Sequence, residues 1–199
     1  MSQIIDLTER FIVAFLFLFL WSQMAGYAAA GSHVHIAIIA VEFTVLCFIV
    51  FRKLAHTVSV APHDWFIAIL GTSLAMLVTP GGRPLVPEIV SEFLMVFGFL
   101  IQIHGKIALN RSFGVVAANR GVKTGGPFAC VRHPIYLGYT ITHIGFLLFS
   151  PSIRNAALYL CVLMFQVARI MAEERVLSAD DLYREYSSRV RYRLVPGLF

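Results

Sequence analysis

FIVAFLFLFLWSQMAGYAAA, residues 11–30, runs for 20 positions without a charged side chain. At about 1.5 Å per residue, that length matches a hydrocarbon core about 30 Å thick. The stretch therefore reads as a membrane-crossing helix. Its closing Ala28-Ala29-Ala30 imitates a signal cleavage site, but the residues ahead of the stretch hold Asp6 and Glu9 against Arg10. A secretory signal wants a positive start, so the segment is expected to be retained as a span.

Further apolar stretches follow at residues 35–51, 65–80, 89–109, 135–149 and 155–171. The whole chain agrees with them: 58% of its 199 residues are hydrophobic and 14% are charged, and mean hydropathy is +0.78. Soluble chains carry about 25% charged residues, so the excess is too large to hide in a core of this size. Long uncharged runs without alternation exclude a β-barrel. The expected fold is an all-α integral membrane bundle of five to six transmembrane helices. The last two stretches, joined only by Ser150-Pro151-Ser152-Ile153-Arg154, form a helical hairpin.

Six spans place both termini on one side. That side receives Arg10, Arg52, Lys53, Lys106, Arg111, Arg120, Lys123, Arg132, Arg169, Arg175, Arg184, Arg189, Arg191 and Arg193, and the other receives Arg83 and Arg154. The split is fourteen to two, and positive residues stay in the cytoplasm. The net charge of +5 is thereby accounted for by topology and anionic lipid, with no call for nucleic acid. Cys47, Cys130 and Cys161 are scattered, and neither they nor the histidines at 33, 35, 56 and 63 show metal-ligand spacing. No metal is expected.

The chain is asymmetric. Residues 1–104 are mostly spans, a lipid-facing scaffold; residues 105–199 hold most of the unusual polar groups and form the expected catalytic region. The densest segment is VKTGGPFACVRHPIYLG, residues 122–138. Gly125-Gly126-Pro127 reads as a turn. Pro134 disfavours helix at His133 and suits the first turn of the next helix. Arg132 and His133 then sit at a helix N-terminus, which attracts an anion such as a carboxylate. The bland reading is a basic turn that anchors the helix in the headgroups.

Arg169 and Glu173 are four apart and share a helix face. They read either as an ion pair ending a span, or as two separate contacts: Glu173 to a cationic group and Arg169 to a different substrate group. Between 176 and 190 the apolar residues Val176, Leu177, Leu182, Tyr183, Tyr186 and Val190 make a one-sided helical stripe. Asp180 and Asp181 interrupt it and mark a second short helix. This tail is either a helix lying on the membrane or a lid. Glu42, Gln102 and His104 either line a pocket or are satisfied by a neighbouring helix.

Gly126-Pro127-Phe128, Arg132-His133-Pro134-Ile135-Tyr136-Leu137-Gly138, Glu173-Glu174, Tyr183, Tyr186, Arg193 and Pro196-Gly197 together resemble the isoprenylcysteine carboxyl methyltransferase family and its prokaryotic relatives. Phospholipid methyltransferases share the general pattern. The resemblance covers residues 105–199. It implies a cytoplasmic pocket for S-adenosylmethionine built by the C-terminal half, with Val122, Lys123, Phe128, His133, Pro134, Ile135, Tyr136 and Glu173 as cofactor-binding residues. It implies Arg169 as the catalytic arginine that holds a substrate carboxylate. Phe128 stands where the family often has Tyr, so a hydroxyl is missing there. The implied acceptor is lipophilic and enters from the bilayer. If it is an amine or thiol rather than a carboxylate, His133 and Glu174 are the nearest bases. A sterol-reductase-like NADPH enzyme, which shares a Pro-x-Tyr-x-Gly stretch, and a non-enzymatic membrane transporter or scaffold are the rival readings. The paired glutamates and the Arg-His dipeptide favour the methyltransferase.

Overall fold

The computed structural model describes residues 2–29, 43, 46–47 and 57–199. Glu42, the histidines at 33, 35 and 56, and nearly all of the stretch at 35–51 lie outside the described residues. The α-helices whose full range lies among the described residues are α1 (Ser2–Ala29), α2 (Pro62–Ser73), α3 (Glu88–Leu109), α4 (Pro134–Phe149), α5 (Ile153–Leu177) and α6 (Asp181–Arg189). A short antiparallel pair, β1 (Thr57–Val58) with β2 (Ala118–Asn119), matches Thr57 to Asn119 and Val58 to Ala118.

The chain is mostly helical, and among the described residues α3 and α5 are each long and apolar enough to cross a membrane. Their 22 and 25 residues correspond to about 33 and 37 Å. The stretch at 65–80 is not one α-helix. It is the 12-residue α2 continued by one tighter 3-10 turn over Leu74–Leu77. Gly71, Thr72 and Ser73 are weak helix formers, and Pro80 biases Thr79 to the extended region. The hairpin of residues 135–171 is present as α4 and α5 joined at Ser150–Ser152.

The polarity of the bundle is inverted relative to a soluble protein. Phe93, Phe97, Leu100 and Ile107 on α3 and Leu160 and Met164 on α5 are exposed, whereas Ser91, Gln102, Lys106, Asn155 and Gln166 on the same helices are buried. In hydrocarbon this arrangement is stable: apolar faces cost nothing outside, and polar side chains join helices inside. Gln102 meets this expectation by donating from Nε2 to Thr142 Oγ1 at 2.9 Å.

α3 and α4 pack closest, along a seam of glycines. A Cβ on Gly98 would lie 2.7 Å from the Gly138 carbonyl, one on Gly138 would lie 2.6 Å from the Gly98 carbonyl, and one on Gly145 would lie 3.0 Å from the Ser91 carbonyl. Gly98 and Gly105, like Gly138 and Gly145, are seven apart and so share one helix face. The glycine of the 132–138 motif is thus a packing residue. Away from the glycines, the far end of the bundle is locked by Asn155. Its Nδ2 donates to the carbonyls of Thr79 and Ser150 at 2.9 and 3.0 Å.

The C-terminus of α3, the N-terminus of α4 and the C-terminus of α5 converge at the opposite end. Lys106, Arg120, Arg132, Arg175 and Arg193 belong to that end, while Arg83 and Arg154 belong to the far one. Arg154 there donates to Thr79 and to the Leu77 carbonyl.

Candidate active site

The connection from α3 to α4 builds the site. Gly126 has φ +62°, which glycine adopts without strain, and the chain then makes a 3-10 turn over Gly126–Ala129. His133, at φ −129° and ψ 62°, is non-helical at the N-cap of α4, and Pro134 opens the helix. The Arg132-His133 pair is therefore at a helix N-terminus, as its sequence implies.

The C-terminal segment straps this connection from outside. The N–H groups of Arg132 and His133 donate to the carbonyls of Tyr192 and Arg193, each at 2.9 Å. Leu194 is buried against Tyr136 and Ile170. The closing Val195-Pro196-Gly197-Leu198 turn has Gly197 at φ +83° and a 3.1 Å bond from Leu198 N–H to the Val195 carbonyl. Proline at the second position and positive φ at the third are the signature of a type II turn.

The neighbouring glutamates at the end of α5 have separate roles. Glu174 is enclosed by Arg132 Nη1 at 2.9 Å, Arg193 Nε at 2.9 Å and His133 Nε2 at 3.2 Å. It joins α4, α5 and the C-terminal strap, so neither it nor the His133 nitrogen bonded to it is a free base. Glu173 points the other way and accepts a hydrogen bond from the Tyr136 hydroxyl. His133 Nδ1 lies 3.7 Å from its second oxygen.

Arg169 makes no ion pair with Glu173. Instead its guanidinium donates to the Val115 carbonyl at 2.9 Å and Thr72 Oγ1 at 3.4 Å, and lies 5.2 Å from the Tyr136 ring centroid. Its Nε is buried without a hydrogen-bond partner among the described residues.

Two cavities open around these groups. The first encloses about 750 Å³, its open mouth included, and Val122, Lys123, Phe128, His133, Pro134, Ile135, Tyr136 and Glu173 all line it. The structure brings every residue nominated as cofactor-binding to one cleft. Phe128, Tyr183 and Tyr186 form an aromatic cluster at its wall, and the Tyr186 hydroxyl donates to the Phe128 carbonyl at 2.7 Å. Burial raises the Tyr186 phenol to about 12 and pushes the Tyr183 phenol up as well. α6, which carries both tyrosines, begins where Asp180 accepts from Leu182 N–H at 3.0 Å. The expected second short helix of the tail is present, and it closes one wall of the cleft.

The second cavity, about 700 Å³, lies among α2, α4, α5 and residues 113–115, and Arg169 lines it rather than the first. Tyr136, Ile135, Glu173, Leu109 and Gly114 border both cavities, so the two meet at the Tyr136–Glu173 bond.

Sequence reasoning missed Glu9 and Arg120. Glu9 is 1% exposed and accepts from the N–H groups of Val115 and Val116 at 2.7 and 3.0 Å. It pairs with Arg120 Nη2 at 3.2 Å. α1 thereby holds the loop that walls both cavities. The only sequence signal is an acidic residue two positions before an uncharged run, which local patterning reads as a flank. His104 is exposed, and His63 lies 3.2 Å from Asp64, apart from the cavities.

Residues 87–184 match the family model described as phospholipid methyltransferase. The match agrees with the resemblance carried by the 126–138 and 173–174 motifs and supports a membrane methyltransferase. No curated protein matches the chain at a significant level.

Proposed function

We propose, with the match to the phospholipid methyltransferase family as premise, that this chain transfers a methyl group from S-adenosylmethionine to a lipophilic acceptor. The carrying observation is the meeting of two cavities at one hydrogen-bonded pair, Tyr136 and Glu173. A group-transfer enzyme needs two substrate sites sharing a border, and a simple binding protein does not.

The first cleft suits the donor. Its size falls in the usual range for small-molecule sites, about 300–1,000 Å³. The Glu173 carboxylate is matched to the ammonium group, and Lys123 with the α4 N-terminus to the carboxylate. Phe128 and the tyrosines beside it offer an aromatic face to the adenine; the hydroxyl that the family often has at position 128 is supplied nearby by Tyr186. S-adenosylmethionine, when bound, supplies an electrophilic methyl group on a sulfonium. Tyr136 and Glu173 align the two sites and exclude water from their junction.

Arg169 suits an anionic acceptor. The carboxylate of a prenylated cysteine and a lipid headgroup both fit this description. A carboxylate is ionised at neutral pH and needs no base, which accords with the commitment of Glu174 to Arg132 and Arg193. The donor cleft lies on the cytoplasmic face in this reading, because the basic residues gather at its end of the bundle. A bundle of five to six spans, with both termini cytoplasmic, completes the arrangement.

Calorimetric titration of the detergent-solubilised protein with S-adenosylhomocysteine tests the donor site. Micromolar binding is expected, weakened about 10- to 100-fold in Glu173→Gln, the range of one charge-assisted hydrogen bond. Gln retains an acceptor for Tyr136, so the loss reports the charge. Unchanged affinity in the variant refutes the ammonium pairing, and no binding to folded protein refutes the donor.

A further inference from the structure

α4 and α5 run antiparallel, and each places a polar row into the second cavity at heptad spacing. On α4 the row is Tyr136, Tyr139 and His143; on α5 it is Glu173, Arg169 and Gln166. Residues three, four and seven apart share a helix face, so the rows form successive rungs that lead from the donor junction into the bilayer. The first rung is closed by the Tyr136–Glu173 bond. The second carries the Arg169 cation. The third, His143 and Gln166, is the deepest.

This third rung has unused hydrogen-bonding capacity. Gln166 is 3% exposed. Its Oε1 receives Thr140 Oγ1 at 3.4 Å, yet its amide N–H groups donate to no described residue. The His143 ring is held by stacking on Tyr159, centroids 4.5 Å apart, and on Tyr139 at 6.3 Å. It too makes no hydrogen bond among the described residues. Polar side chains at membrane depth are costly unless a partner satisfies them, and both of these line the same cavity as Arg169. Apart from Thr72, which meets Arg169, the other side chains of the wall, among them Ala75, Phe113, Val115 and Ile135, are apolar.

The geometry points to His143 and Gln166 as a second recognition element for the acceptor. The inference rests on the methyltransferase reading above and narrows its substrate class. The acceptor is an anionic amphiphile that carries an amide or hydroxyl about one helical turn, ~5 Å, behind the anionic group. Arg169 takes the anion. Gln166 donates to the following group, and the His143 ring donates or accepts according to its tautomer. A plain hydrocarbon chain directly behind the anion leaves both side chains unsatisfied and is rejected.

Two probes of matched length decide this. N-dodecanoylglycine has an amide behind its carboxylate, and pentadecanoate has none. Binding of each to the full-length protein in nanodiscs is measured by intrinsic fluorescence, with S-adenosylhomocysteine titrated into the same preparation. N-dodecanoylglycine is expected to bind about tenfold more tightly, the scale of one to two net hydrogen bonds. In Gln166→Leu combined with His143→Phe, which keeps the ring stack, the preference is expected to fall below about threefold while pentadecanoate affinity is retained. Equal affinity of the two probes in the parent overturns the proposal, as does a preference that survives in the double variant. So does the absence of saturable binding by either probe. Failure of S-adenosylhomocysteine alone to bind strikes the donor reading instead, so the two failures are separable.

Discussion

Gly138→Ala is the most direct test of how the helices hold the site. The added Cβ would lie 2.6 Å from the Gly98 carbonyl oxygen, 2.7 Å from Gln102 Cγ and 2.9 Å from the Gln102 backbone nitrogen. Two of these neighbours are backbone atoms, which cannot rotate away as a side chain can. Ordinary contact starts near 3.4 Å, so α3 and α4 must separate by about 0.5–0.8 Å, an overpacking strain of about 1–3 kcal/mol. Separation also stretches the Gln102–Thr142 bond, now 2.9 Å, for about 1 kcal/mol more. The sum, about 2–4 kcal/mol, corresponds to a fall in melting temperature of about 5–15 °C for a chain of this size. Thermal unfolding followed by intrinsic tryptophan fluorescence in detergent reads it. Gly81→Ala is the control, because a Cβ there meets nothing within 4 Å, and it is expected to melt with the parent. A Gly138→Ala protein that also melts within about 2 °C of the parent would refute the close glycine seam and the account of Gly138 as a packing residue.

Two further outcomes follow from the same geometry. Glu9→Gln removes the charge that faces Arg120 where both side chains are 2% exposed; breaking a buried ion pair from one side is expected to cost about 3–5 kcal/mol. Thermal unfolding checks this, and a Glu9→Gln/Arg120→Met double variant is expected to recover part of the loss; equal melting of Glu9→Gln and the parent would contradict it. Burial raises the Tyr186 phenol from 10.0 to about 12. Between those values the unfolded chain loses this proton while the folded one keeps it, so stability from this group is full below pH 10 and declines from pH 10 to about 12. Tyrosinate absorbance during an alkaline titration is expected to lose one late step in Tyr186→Phe, and an unchanged titration counts against the burial.

Much of the molecule is legible in the sequence because its signals are local. An uncharged run of bilayer length specifies the long helix α1, and Pro134 after His133 specifies a helix start. Gly125-Gly126-Pro127 marks a turn, and Asp180 with Asp181 marks the start of α6. The 122–138 segment with Glu173 is sufficient to nominate one cleft, because the nominated residues cluster in two short segments on elements that meet. The split of Trp65 and its neighbours into α2 and a 3-10 turn was less legible, since apolar character fixes burial in lipid but not the helix type.

Tertiary structure alone decided the rest. Glu173 and Glu174 are chemically identical neighbours, yet about 100° of helix rotation turns one to the cleft and the other to Arg132, His133 and Arg193. Arg169 and Glu173 have the spacing of an ion pair, but Val115 and Thr72, brought in from other segments, take the guanidinium. Glu9 meets Val115 and Arg120 across more than 100 positions of chain. No periodicity records such a partner, because a buried charge is satisfied by whichever donors packing brings within 3 Å, and packing is a property of the assembled helices. The sequence determined which segments form apolar helices and where the unusual polar side chains cluster; the assembled bundle decided which of those side chains line the cavities and which hold the walls.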